Sequence, residues 1–375
     1  MDKIINLEGR INSNNIQDIE SKILEDIKDY NGNIIFDAKG LEYISSAGLR
    51  MILRVKKIND NTKVINCNSE VYEVFEMTGF SEMMDISKAF REISVEGCEI
   101  IGDGFYGTVY RINPETIVKV YKTPDCLDMV KREKELARKA FILGIPTAIP
   151  YDIVKVGNSY GSVFELLDCK ALDKCVKEGE DISSLAKLCV NVLKKMHSTE
   201  LNTNELPNKK DLILETAEYC KKYLNSDIYD KLIKFIKNIP DKNTLIHGDF
   251  QIKNLMKQGD ELLLIDMDKL SIGNPIFEFG AMYATYKAFA CVNKNNPLEF
   301  LGIPYEQSEE IWNKIYDYYF DVKSDELLNK IKMISYLEVL YIRARYGDKN
   351  NEICQKEIQY SIDYITNNIN NILED

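Results

Sequence analysis

The sequence predicts a small α/β layer over residues 1–93, followed by a larger α+β body in two parts, a strand-rich stretch over 97–168 and a mostly helical stretch over 169–375. Three observations carry this reading. Short apolar strands alternate with amphipathic helices along the first module. A glycine-rich hairpin leads into a strand that carries a lysine. Further on, the polar turn His247-Gly248-Asp249-Phe250-Gln251-Ile252-Lys253-Asn254 precedes a hydrophobic run that ends in Ile265-Asp266-Met267-Asp268.

In the first module, Asn33-Ile34-Ile35-Phe36-Asp37 reads as a short buried strand. Tyr43 to Arg50 opens an amphipathic helix, with Leu49, Ile52 and Leu53 on its apolar face and Arg50, Arg54 and Lys57 on a basic one. Val64-Ile65-Asn66 is a further strand. The helical stretch Glu70 to Met77 turns Val71, Val74 and Phe75 to one side and stops at Gly79. Ser46 stands at the start of the first of these helices, where serine serves well as an N-cap. The link to the second module, Ile93 to Gly97, is short and polar.

The second module opens with Gly102-Asp103-Gly104-Phe105-Tyr106-Gly107-Thr108-Val109, set between the apolar runs Glu99 to Ile101 and Thr108 to Ile112. That setting makes it a hairpin rather than the strand-to-helix turn of a dinucleotide site. Glycines there let backbone N–H groups approach phosphate closely. A turn at Asn113-Pro114-Glu115 leads to Ile117-Val118-Lys119-Val120-Tyr121, which puts Lys119 mid-strand; Lys122, three residues on, belongs to the other face. A helix from Asp128 to Leu143 carries Glu133 and Glu135, either of which can pair with Lys119, and ends at Gly144-Ile145-Pro146. Ser162 to Leu167 is the next apolar strand. Ile311-Trp312, Ile315-Tyr316 and Tyr319-Phe320 recur at helical spacing, which is a core stripe rather than a ligand box.

Composition narrows the function classes. Sixty acidic residues against 48 basic ones give a net charge of −12, which disfavours nucleic-acid and anionic-membrane partners. Nine cysteines without CxxC spacing and two histidines leave no zinc constellation, and reduced thiols point to a cytoplasmic location. The sequence has no basic-plus-apolar leader and no apolar run of membrane length. His197 reads as the end of a core helix, and His247 as a brace for its turn by hydrogen bonding.

From Gly102 to Asp266 these motifs stand in an order that resembles the aminoglycoside phosphotransferase and choline kinase-like family, over about residues 97 to 375 and most strongly at the HGDxxxxN and IDxD segments. The resemblance implies a bilobal protein kinase-like fold that uses ATP or GTP with Mg2+ to phosphorylate a hydroxyl of a small molecule. It implies that Asp249 accepts the hydroxyl's proton and that Asn254 and Asp266 hold the metal. Lys119, steered by Glu133, would grip the inner phosphates. Gly102, Gly104, Gly107 and Val109 would cover them, and the backbone at Glu165 and Leu167 would hold the base. Asp268 is open between metal and substrate roles, and Lys253 between γ-phosphate and solvent.

The first module resembles the STAS domain of anti-sigma-factor antagonists at Leu7-Glu8-Gly9-Arg10-Ile11, Asp37, Ile44 to Leu49, and Phe75 to Phe80. By that register Ser46 is the phosphoacceptor position. Ser45 and Ala47 replace the usual acidic and hydroxyl neighbours, so a capping role competes with phosphorylation. A STAS module implies a regulatory surface that binds a protein partner or dimerises. A signalling protein, in which the kinase part controls the STAS domain or a partner, is the alternative to small-molecule transfer.

Overall fold

The computed structural model describes residues 2–104, 106–201 and 206–374, and the chain divides into two compact units, described here in turn. The first holds residues up to 94 together with 153–158. Its sheet is built from Asp2–Ile11, Asn33–Ile44, Thr62–Cys67 and Ile86–Lys88, adjacent in that order and parallel throughout. Parallel neighbours need crossovers, and the helices Ile16–Ile27, Ser46–Ile58 and Ser69–Met77 supply them. Leu7, Ile34, Phe36, Ile52, Val64 and Phe75 meet in the core between these layers. Arg91 and Glu92 pair in parallel with Val154 and Lys155.

Local chemistry sets the ends of these elements. Gly79, at φ +74°, takes the left-handed conformation after Ser69–Met77 and donates its N–H to Glu76 O. At the second helix the sequence reading is off by two or three residues. Tyr43 and Ile44 finish the strand, and the helix begins at Ser46. The N-cap is therefore Ser45, whose side chain makes no capping bond, while Ser46 is the first helical residue and exposed. Ser45 and Ser46 are equally suitable caps by type, so the sequence alone does not separate them.

In the second unit the strands Glu99–Asp103, Gly107–Arg111, Thr116–Tyr121 and Ser159–Glu165 lie side by side, each antiparallel to the next. Asn113 accepts the N–H of Glu115 at 2.8 Å and closes the turn before the lysine strand. The helix Leu127–Ile142 follows, ended by Gly144 at φ +73°. The remainder is helical, with Ile182–Ser198, Lys209–Cys220, Ser226–Asn238, Ile276–Tyr286, Tyr305–Tyr319, Asp325–Tyr346 and Glu352–Glu374 enclosing one hydrophobic core. Ile311, Trp312, Ile315 and Tyr316 are buried in it, as their spacing predicts. Two antiparallel strand pairs, Leu255–Gln258 with Glu261–Leu264 and Thr244–Ile246 with Ser271–Gly273, frame the polar turn at Asp249.

Candidate active site

Lys119 stands opposite Val109 on one neighbouring strand and Ser162 on the other. Its Nζ is 2.7 Å from Glu133 Oε1 and 2.9 Å from Asp266 Oδ1. Glu133 is only 3% exposed on its helix, whereas Glu135 pairs with Lys139 at 3.2 Å, so of the two candidates it is Glu133 that meets Lys119. Burial works to lower the Lys119 pKa, and the two carboxylates outweigh it and hold the ammonium above its usual value. Burial pushes Glu133 up, to about 7, against the pull of Lys119 and with the repulsion of Asp266 adding to it. Lys122 points elsewhere, donating to Gly104 O at 2.7 Å and lying 3.1 Å from Asp103 Oδ1.

The glycine-rich hairpin is narrow for a steric reason. A Cβ on Gly107 would sit 2.6 Å from Val120 O, so no side chain fits without moving the strand that carries Lys119. Gly104 donates its N–H to Gly107 O at 2.9 Å, and Thr108 Oγ1 donates to Asp103 Oδ1 at 2.7 Å. Gly102 pairs with Val109. Phe105, at the tip, lies outside the described residues. At the end of Ser159–Glu165, Glu165 Oε1 accepts the Ile149 N–H at 3.0 Å, and Leu166 donates its own N–H to Glu115 O at 2.7 Å. The Glu165 carboxylate is thus committed within the unit, and Leu167 follows half-buried, its carbonyl 3.5 Å from Cys169 Sγ.

His247 organises the polar turn. The Asp249 N–H can only donate, so Nδ1 of His247 accepts it at 3.2 Å, and Nε2 carries the proton donated to Ile265 O at 3.2 Å. The ring therefore joins Asp249 to the segment just before Asp266. Asn254 adds a second clasp: Nδ2 donates to Asp249 O at 3.0 Å and to Asp249 Oδ2 at 3.3 Å, while Ile265 donates its N–H to Asn254 O at 3.0 Å. Asp266 has φ +65°, a left-handed conformation that costs a non-glycine residue about 1–2 kcal/mol. The strand has already ended at Leu264, so Asp268 lies on the short 3-10 turn Met267–Lys269 rather than on a shared strand face. Burial and the neighbouring Asp266 push its carboxyl up to about 6.

Lys253 is exposed and lies over the Phe300 ring at 5.7 Å. Two residues at this site carry no signal in the motif spacing. Lys269 Nζ stands 3.5 Å from Asp249 Oδ2; partial burial of its half-exposed side chain works to lower its pKa, and Asp249 and Asp268 outweigh this and hold it above the usual lysine value. Glu278, fully buried at the start of Ile276–Tyr286, accepts the N–H of His247 at 2.6 Å and of Gly248 at 3.0 Å. A buried carboxylate costs several kcal/mol unless such donors surround it. His197, also buried, donates or accepts at Tyr319 Oη at 2.8 Å, with its Nε2 3.9 Å from Glu278 Oε2, beyond hydrogen-bond distance.

Asp249, Asn254, Asp266, Lys119 and Glu133 thus form one connected polar cluster, with the glycine hairpin carried on the strand next to Lys119. Residues 97–292 match the phosphotransferase enzyme family, and residues 2–93 match the STAS domain. A putative anti-sigma factor antagonist, BtrV of Bordetella bronchiseptica, is 31% identical over 87 residues, 22% of this chain and 75% of that protein. Among solved structures, a thermostable mutant of aminoglycoside phosphotransferase APH(4)-Ia in ternary complex with AMP-PNP and hygromycin B is similar at 12% identity and a TM-score of 0.51, covering 74% of this chain and 94% of that one. The streptomycin–ATP complex of APH(2")-IIa is similar at 18% identity and a TM-score of 0.48, over 80% and 97% of the two chains. Among the described residues no helix is long and apolar enough to cross a membrane. The chain belongs to the phosphotransferase enzyme family and carries a STAS domain ahead of its kinase-like fold.

Proposed function

We propose that this chain transfers the γ-phosphate of ATP, or of GTP, to a hydroxyl of a small molecule in a Mg2+-dependent reaction, with the STAS domain as a regulatory or interaction module. The observation that carries the reading is the contact of Lys119 with both Glu133 and Asp266, at 2.7 and 2.9 Å, next to an Asp249 clasped by Asn254. In this assignment Lys119 grips the inner phosphates, the backbone from Gly102 to Gly107 covers them, and the Glu165–Leu167 backbone faces the base. Asp249 takes the hydroxyl proton. Oxygen donors on Asp266 and Asn254 suit Mg2+, which is bound through one or two carboxylates together with phosphates and would neutralise charge on the bridging oxygens. The similar solved structure that is named an aminoglycoside phosphotransferase, with hygromycin B in its complex, supports an aminoglycoside, an amino alcohol or a sugar-like alcohol as the acceptor class. All nine cysteines are free, which fits a reducing, cytoplasmic setting.

The anti-sigma factor antagonist relative favours a second reading, in which the kinase-like part acts on the STAS domain or a protein partner. Turnover of ATP against a panel of aminoglycosides, amino alcohols and sugars tests the first reading. It expects at least one acceptor to raise nucleotide consumption well above the rate with water. Consumption that no small molecule raises, but that a protein partner does, would favour the second.

A further inference from the structure

Lys269 is placed by packing rather than by chance. Gly248 stands at φ +81°, and a Cβ there would be 2.7 Å from Lys269 O and 3.0 Å from Lys269 Cβ, so the catalytic turn and the Met267–Lys269 turn touch backbone to backbone. Leu270 donates its N–H to Met267 O at 3.1 Å and closes the second turn. The lysine side chain leaves this junction and brings Nζ to 3.5 Å from Asp249 Oδ2, while remaining 49% exposed and so within reach of a bound molecule. The other lysines have different contacts: Lys119 pairs with Glu133 and Asp266 and is assigned to the inner phosphates, Lys122 meets Gly104 O and Asp103, and the exposed Lys253 lies over the Phe300 ring. Gln251, two residues after Asp249, is neutral and sets its Nε2 3.4 Å from Asp249 Oδ1.

A cation beside a carboxylate that must accept a proton weakens it as a base. The arrangement gains only if that cation serves the transition state in another way. As the acceptor's O–H bond breaks, its proton passes to an Asp249 oxygen. The acceptor oxygen bonds to phosphorus, and the bond from phosphorus to the nucleoside diphosphate oxygen breaks. Asp249 is then neutral, and the Lys269 charge is released at the moment when charge is spread over the phosphoryl oxygens. We propose that Lys269 is a catalytic residue of the transfer step, its ammonium passing from the Asp249 carboxylate to the oxygens of the transferring phosphoryl group as Asp249 takes the acceptor's proton. This rests on the phosphotransferase assignment of Asp249 made above.

The test uses the full chain with Mg·ATP and water as acceptor, read as phosphate released under excess enzyme, alongside calorimetric Mg·ATP affinity. Lys269→Met is expected to slow release about 100-fold with the affinity unchanged within about twofold, and Lys269→Arg to recover at least about tenfold of the loss. In an Asp249→Asn background, Lys269→Met is expected to lower the residual rate again. A rate for Lys269→Met within about threefold of the parent, or a loss matched by weaker nucleotide binding, would overturn the assignment. So would a double variant no slower than Asp249→Asn, since Lys269 would then act only through Asp249. A parent chain that binds Mg·ATP but transfers phosphate neither to water nor to any acceptor of the panel would instead defeat the phosphotransferase reading, and this proposal with it.

Discussion

At the scale of single residues, the site is a set of charges that compensate one another. Asp249 is held by Asn254, Gln251 and Lys269 in addition to its own backbone contact with His247. Asp249→Asn keeps the shape and removes the carboxylate proposed to accept the proton. Turnover is expected to fall by about 10²–10⁴-fold while Mg·ATP affinity stays within about twofold, measured by steady-state kinetics and calorimetry on one preparation. Asp266 needs a different substitution. Its φ of +65° is tolerated by asparagine better than by alanine, so Asp266→Asn separates loss of the carboxylate charge from backbone strain. Mg·ATP binding is expected to weaken at least tenfold in Asp266→Asn, with a melting temperature close to that of the parent. Unchanged Mg·ATP affinity would move the metal ligand to another residue.

At the scale of elements, what the sequence makes legible is whatever a short motif encodes. The hairpin between Glu99 and Arg111, the strand carrying Lys119 and the helix carrying Glu133 each follow from local spacing and turn chemistry. Glu278 and Lys269 do not, because their roles arise from contacts across the fold. Glu278 reaches backbone N–H groups 30 and 31 residues earlier, and a backbone donor leaves no trace in side-chain pattern. Lys269 adjoins Asp268 in a turn whose direction depends on where the strand ends. The cap at Ser45 rather than Ser46 was illegible for a simpler reason, two adjacent residues with the same capping chemistry. The junction between the two turns gives a prediction at this scale. Gly248→Ala combines a left-handed φ with a Cβ 2.7 Å from Lys269 O and is expected to cost about 2 kcal/mol or more and to depress turnover. Gly144→Ala, also left-handed at φ +73° but in open space, is expected to cost only about 1 kcal/mol and to spare turnover. Equal destabilisation in urea titrations would show that the Gly248 contact is not tight.

At the scale of the whole molecule, a phosphotransferase unit and a STAS domain share one polypeptide, and the question is where phosphate goes. Ser46 is exposed at the first turn of its helix, where free N–H groups would favour a phosphate, yet Ser45 stands where the STAS resemblance implies an acidic residue. Efficient self-phosphorylation is therefore not expected. The STAS surface is expected to serve as a binding or dimerising face instead. Its basic side is partly spent within the domain, since Arg54, though exposed, is already paired with Glu20; Arg50 and Lys57 are further exposed cations there. Sedimentation of the parent against an Arg50→Glu, Lys57→Glu variant measures whether that face carries self-association, and a lighter species is expected for the variant if it does. The most direct measurement follows γ-labelled ATP in the parent and in Asp249→Asn, with the small-molecule panel present, and separates label on small molecules from label on the polypeptide by mass spectrometry. The expected result is label on a small-molecule hydroxyl, lost in Asp249→Asn, with no stoichiometric phosphate on Ser46. Label confined to Ser46 that disappears in Asp249→Asn would contradict small-molecule transfer and make the chain a self-contained signalling switch.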